Sequence, residues 1–267
     1  PIVHMHGGET TQGAFDEAFR HSITKMSHIH FAATREYANR IIQLGEEPSR
    51  VFNVGGPGIE NIKKLNLLNK DEFEKSINFK LTKKNILITF HPVTLENSSA
   101  KEQFSELLKA IDELKYTNFI FTKANSDTDS DVINNMIDEY VGKNSQKAVA
   151  FASLGQLRYL SAIKFVDIVL GNSSSGLSEV PSFKKATINI GDRQKGRARA
   201  SSVIDVRPAK EEILAAIKKA YSKEFEQILK DTTNPYDGGN SSKKMLKILK
   251  EVNLDGILKK KFYDVKI

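Results

Sequence analysis

Short apolar, β-branched segments recur along this 267-residue chain, and stretches of helical periodicity separate them nearly everywhere. The pattern predicts strands at residues 1–5, 51–54, 85–90, 118–122, 148–152, 166–170, 187–190 and 203–206. Helices are predicted at residues 15–25, 35–44, 101–114, 130–141, 154–164 and 210–222. Such alternation demands parallel strands joined by helical crossovers, so the predicted class is α/β with helices on both sheet faces. Ligands of such sheets bind beyond the carboxyl ends of the strands. The glycine-rich turn Gly55-Gly56-Pro57-Gly58 predicts a boundary between residues 1–57, the remnant of one α/β unit, and a fuller unit over residues 58–240.

Length and composition fit two globular units: 267 residues with 39% hydrophobic content. Cysteine is absent, which removes disulfides and thiolate chemistry and fits a reducing, cytoplasmic setting. No apolar run approaches the ~18–20 residues of a membrane span, so no membrane partner is expected. The chain opens on Pro1-Ile2-Val3-His4-Met5-His6, without an initiator Met and already like an interior strand, which predicts a missing N-terminal part. The net charge is +7, and residues 241–267 hold eight lysines against three carboxylates. Lys243, Lys247 and Lys250 interleave with Met245, Leu246, Ile248, Leu249 and Val252 at helical spacing, the wet face of an amphipathic helix. With no aromatic–basic platform beside them, nucleic acid is not an expected partner.

The chemistry concentrates in Gly171-Asn172-Ser173-Ser174-Ser175-Gly176-Leu177-Ser178-Glu179, which follows an apolar strand and opens a short helix with Pro181 near its end. Main-chain N–H groups, the helix dipole and serine hydroxyls there suit an anion. Glu179 suits a ribose diol, and Arg193, past the next strand, suits phosphate. The group reads as a nucleoside-diphosphate site.

A second rich region runs from His4 to His21 and holds Glu9, Asp16 and Glu17. Asp16 and Glu17 either cap a helix or join other carboxylates in acid–base work. Five of the six histidines fall between His4 and His30. The pairs His4/His6 and His28/His30 share a face if they lie on strands, and structural hydrogen bonding is favoured over metal binding. His91 ends a strand at the ligand edge and suits phosphate binding or proton transfer. Asn125 follows another strand, as a turn residue or a ligand contact.

His4-Met5-His6-Gly7-Gly8-Glu9, Asp16-Glu17-Ala18-Phe19-Arg20-His21, His91-Pro92, the serine turn and Gly191-Asp192-Arg193-Gln194-Lys195-Gly196-Arg197 together resemble the hydrolysing UDP-N-acetylglucosamine 2-epimerases, sialic-acid branch. The resemblance spans essentially the whole chain. It implies a GT-B-like fold of two Rossmann-like domains, the first incomplete here, with residues 241–267 returning to the first. It implies conversion of UDP-N-acetylglucosamine to UDP and N-acetylmannosamine in sialic acid biosynthesis, without a cofactor, by elimination to a glycal and rehydration. By motif, Asp16 matches an acid/base carboxylate and His91 a group near the leaving phosphate. Ser173 and Ser174 match diphosphate ligands, Glu179 the ribose ligand, and Arg193 the nucleotide arginine; Asn125 is a further candidate. Where several members carry a catalytic Glu in a His-x-Glu-Gly-Gly-Glu pattern, this chain has His6, so that role falls to His6 or Glu9. The family's earlier nucleotide loop and another catalytic Asp have no counterpart here, which predicts little turnover by this segment alone. The resemblance further implies a homodimer or larger oligomer of the full-length protein. Alternatives are a related nonulosonic-acid nucleotide-sugar enzyme, a GT-B glycosyltransferase and a nucleotide-sugar binder without chemistry.

Overall fold

A computed structural model describes residues 1–11, 16–93, 100–124 and 130–265. The chain divides into two compact units: residues 1–64, 195–198 and 234–267 form the first, and residues 65–194 and 199–233 the second.

The first unit starts with β1 (Val3–Met5), α1 (Asp16–Met26), β2 (Ile29–Ala32), α2 (Arg35–Gln43), β3 (Val51–Asn53) and α3 (Pro57–Lys64). Its sheet is parallel, in the order β1-β2-β3. The central strand β2 has no counterpart among the sequence-predicted strands. It is only four residues long and buried throughout, so it lacks the polar–apolar alternation that marks a half-exposed strand. His30 is fully buried within it because Glu46 accepts a hydrogen bond from its Nε2 at 2.9 Å, while Lys25 and Lys260 hold the same carboxylate. Burial lowers the His30 pKa to about 4, against the opposing pull of Glu46. The core of this unit gathers Tyr37, Ala38, Ile41, Ile59 and Tyr236 into one cluster and Ile29, Phe31, Val54, Met245 and Ile257 into another.

The second unit adds α4 (Lys70–Ile77), β4 (Lys84–Thr89), α5 (Ala100–Asp112), β5 (Thr117–Thr122), α6 (Ser130–Lys143), β6 (Ala148–Phe151) and α7 (Gly155–Phe165). It continues with β7 (Ile168–Gly171), α8 (Ser175–Ser178), β8 (Ala186–Ile190), β9 (Val203–Val206), α9 (Lys210–Ala220) and α10 (Lys223–Asp231). Two helices of this unit have no predicted counterpart: α4, opened by a reciprocal capping box between Asn69 and Glu72, and α10, capped by Ser222. The six strands are parallel, in the order β6-β5-β4-β7-β8-β9. Ile86, Ile88, Phe104, Phe119, Phe121, Leu170 and Ile188 form the centre of its core. The chain then returns to the first unit with α11 (Ser241–Glu251), which buries Met245 and packs Ile248 and Val252, while Leu246 and Leu249 stay exposed. The expected class, α/β with parallel sheets, is the class observed.

Candidate functional site

In the second unit the connections run outward in one direction from β4 through β5 and β6, and in the other from β7 through β8 and β9. β4 and β7 are therefore the neighbours at which strand order reverses, where the loops diverge and leave a crevice beyond the carboxyl ends. Thr89 and Gly171 are register partners at that end, and the segments carrying His91 and Ser173 follow them. A cavity of about 400 Å³ opens there, lined by Thr89, His91, Thr122, Lys123, Ser153, Gly155, Gln156, Tyr159, Ser173 and Glu179 among others.

Close backbone contact dictates glycine at the end of β7. Gly171 has φ +135°, and a Cβ there would stand 1.9 Å from the Thr89 carbonyl oxygen. The next residue, Asn172, is fully buried and ties the two loops together. Its Oδ1 accepts from the His91 N–H at 2.7 Å, and its Nδ2 donates to the His91 carbonyl at 2.7 Å. Its own carbonyl accepts from Arg193 Nη1 at 3.3 Å and Gln194 Nε2 at 2.9 Å.

The serine turn differs from expectation in one respect. The helix it opens, α8, is a single turn of four residues, and Glu179 links it to a 3-10 turn, Val180–Phe183, that contains Pro181. So short a helix carries little macrodipole, and the anion-binding capacity rests on N–H groups and hydroxyls. Among the described residues the Ser173 and Ser174 N–H groups donate to no protein acceptor. Tyr159 Oη donates to Ser175 Oγ at 2.9 Å. Burial pushes the Tyr159 pKa up to about 12 and also raises that of Glu179, the latter opposed by a hydrogen bond to Ser175. His91, Ser173 and Glu179 thus share the cavity wall. Ser174 adjoins it in sequence, and Arg193 reaches back onto Asn172. Asn125 lies outside the described residues.

The first unit brings together the other set. His6 follows β1 with φ +61°, a left-handed conformation that costs an L-residue about 1–2 kcal/mol. That bend takes it out of the strand's period, so His4 and His6 do not act as a same-face strand pair; His4 instead meets Thr24 Oγ1 at 3.2 Å. His6 Nδ1 lies 2.8 Å from Glu9 Oε1, and Arg197 Nη1 lies 3.3 Å from Glu9 Oε2. Burial would raise the Glu9 pKa, but the His6 hydrogen bond and the charges of Arg197, His6 and Arg20 outweigh it, and the net direction is down. Ala198 N donates to Tyr37 Oη at 2.8 Å and Tyr236 Oη donates to the Ala198 carbonyl at 3.2 Å, which fixes the segment carrying Arg197. Glu17 holds the Thr11 N–H at 2.6 Å and pairs with Arg20 and His21. Asp16, by contrast, is exposed at the first position of α1, and no hydrogen bond or ion pair among the described residues ties it to His6 or Glu9. Among the described residues no group of three or more His, Asp or Glu side chains is placed to hold a metal, and no helix is long and apolar enough to cross a membrane.

Residues 1–250 match the sequence profile of the UDP-N-acetylglucosamine 2-epimerase family. A Campylobacter jejuni protein named GDP/UDP-N,N'-diacetylbacillosamine 2-epimerase (hydrolyzing) is 48% identical over 266 residues, 99% of this chain and 69% of that protein. The chain belongs to the UDP-N-acetylglucosamine 2-epimerase family. The Escherichia coli polysialic acid biosynthesis protein P7 is another similar member, 44% identical across 99% of this chain and 68% of its own length. This epimerase-family chain thus spans about two thirds of those relatives. The Neisseria meningitidis UDP-GlcNAc 2-epimerase crystal structure, bound to UDP-GlcNAc, has the same GT-B-like fold. It superposes with a TM-score of 0.80 at 19% identity, covering 94% of this chain and 70% of that one.

Several of the site's structural partners escaped the sequence reading. Asn172 and Arg197 stand in the sequence only as members of the motifs that carry the resemblance, with no role of their own, and Tyr159 lies unremarked within the helix predicted at 154–164. A period-2 or period-3.6 pattern does not signal contacts across 81 residues, as between His91 and Asn172.

Proposed function

We propose that this protein acts on a UDP-linked 2-acetamido sugar as a hydrolysing 2-epimerase, with UDP-N-acetylglucosamine as substrate and UDP and N-acetylmannosamine as products. The observation that carries the reading is the cavity at the β4/β7 reversal, where His91, Ser173 and a half-buried Glu179 line one wall. Ser173 and Ser174 offer hydroxyls and N–H groups to the diphosphate, Glu179 takes the ribose hydroxyls, and Arg193 supports the nucleotide by its charge. His91 stands by the leaving phosphate. Loss of the C2 proton and of UDP from C1 gives a glycal; water adds at C1 and a proton returns to C2 on the other face. Asp16, Glu9 and His6 are the candidates for that proton traffic. A second reading, a UDP-linked diacetylbacillosamine substrate, is favoured by the 48% identity to the Campylobacter jejuni protein of that name. A cytoplasmic enzyme acting as a homodimer or larger oligomer completes the reading, and light scattering after size exclusion measures the oligomer.

The complete protein is incubated in D2O with each nucleotide sugar, and UDP and the free sugar are followed by NMR. UDP release with deuterium at C2 of the 2-epimerised sugar is expected from one of them. No UDP release from either, or transfer of the sugar to an acceptor, overturns the proposal.

A further inference from the structure

His6 and Glu9 form a pair with a built-in polarity. Glu9 is buried and His6 is not: their side chains are 6% and 47% exposed. The carboxylate faces cations, with Arg197 3.3 Å from Oε2 and Arg20 nearby, so it stays ionised and can only accept hydrogen bonds. The hydrogen in its 2.8 Å contact with His6 must therefore sit on Nδ1. That leaves the Nε2 lone pair on the exposed side of the ring, and no hydrogen bond among the described residues engages it. The left-handed backbone at His6 is what turns the ring toward Glu9 rather than along the strand.

We propose that His6 Nε2 takes the proton from C2 of the sugar and that Glu9 acts through His6, as the positioning carboxylate that fixes its tautomer and ring orientation. The assignment rests on the epimerase reading above. In the first half-reaction the C2–H electron pair becomes the C1=C2 bond, the C1–O pair leaves on the diphosphate, and the proton moves to Nε2. In the second, an acid on the opposite face returns a proton to C2 and water adds its oxygen at C1. The proton shed by that water and the one on His6 reset both groups through solvent. Among the described residues the other charged and titratable groups around the pair include Arg197, Arg20, His4, Tyr37 and Tyr236.

The test uses the complete protein and whichever of the two nucleotide sugars the wild type hydrolyses; if it hydrolyses neither, the epimerase reading itself has failed. With a working substrate, His6→Gln, which can still donate to Glu9, is expected to lower kcat by about 100-fold or more with little change in KM. Glu9→Gln is expected to lower kcat by roughly tenfold or more with little change in KM. In a His6→Gln background, Glu9→Gln should cost no more than about twofold, since residues acting as one unit are not additive. An equal loss from Glu9→Gln in both backgrounds, or a loss carried by KM with kcat kept, overturns the proposal. Should Glu9→Gln fail to fold, His6→Gln decides alone: deuterium entering C2 at the wild-type rate overturns it, and a rate cut in step with kcat supports it.

Discussion

Asn172→Ala tests the claim that one buried amide holds the two halves of the nucleotide cavity together. The wild-type side chain makes two 2.7 Å hydrogen bonds, one to the N–H and one to the carbonyl of His91, and is itself fully buried. Alanine removes both hydrogen bonds from two buried main-chain groups, a loss of ~1–3 kcal/mol each. Water entering the vacated space recovers part of that, so the expected loss is about 2–4 kcal/mol of the second unit's stability. With a urea m-value of about 2 kcal/mol/M, the midpoint falls by about 1–2 M. UDP affinity, measured by titration calorimetry, falls as well, because the His91 and Ser173 segments lose their common anchor. Asn172→Asp sharpens the test. A carboxylate still accepts from the His91 N–H but faces the His91 carbonyl with a second negative oxygen, so at neutral pH it should do no better than alanine. A midpoint within ~0.2 M of wild type for Asn172→Ala, or full stability for Asn172→Asp, would refute the reasoning, because the amide would then be replaceable by solvent.

Gly171→Ala places a Cβ 1.9 Å from the Thr89 carbonyl, with backbone on both sides of the clash, and should cost more than ~3 kcal/mol or abolish soluble expression; ordinary yield and melting would contradict the packing. Glu179 has a raised pKa in the folded state, so its stability contribution is full below the unfolded carboxylate range and is lost as pH rises through the folded value. Glu179→Gln should therefore melt higher than wild type at pH 7 while binding UDP more weakly, and a lower melting temperature would sink that account. His30 is buried with a pKa lowered to about 4 against an ordinary 6.5, so its contribution is present above 6.5 and lost as pH falls toward 4. Protection factors across β2, with exchange normalised to the intrinsic rate at each pH, should fall over that interval, and unchanged protection would deny His30 the role. Asp16→Asn, at an exposed helix start, should leave stability within about 0.5 kcal/mol and UDP affinity unchanged while stopping turnover; retained turnover would leave Asp16 a helix-opening residue only.

What the sequence disclosed and what it hid follow from the range of the forces involved. Each strand of the six-stranded sheet was visible because its own side chains are apolar and β-branched, a property local to four to six residues. The serine turn was visible for the same reason: a strand running into Gly and Ser announces a backbone that must turn sharply and expose donors. β2 was hidden because its solvent-excluded histidine is tolerable only through Glu46, 16 residues later, and Lys260, 235 residues beyond Lys25, whose carbonyl it also holds. The single-turn length of α8 was hidden too, since Glu179 and Pro181 end it through a change of backbone geometry that a helical pattern does not mark. The pairing of Glu9 with Arg197 was hidden by the same separation in sequence. Read alone, Glu9 is a carboxylate as good as any other for moving a proton. Placed in the fold it is a buried carboxylate between an imidazole and a guanidinium. Motif spacing identifies which residue types a reaction requires; only burial and long-range partners divide the work among them.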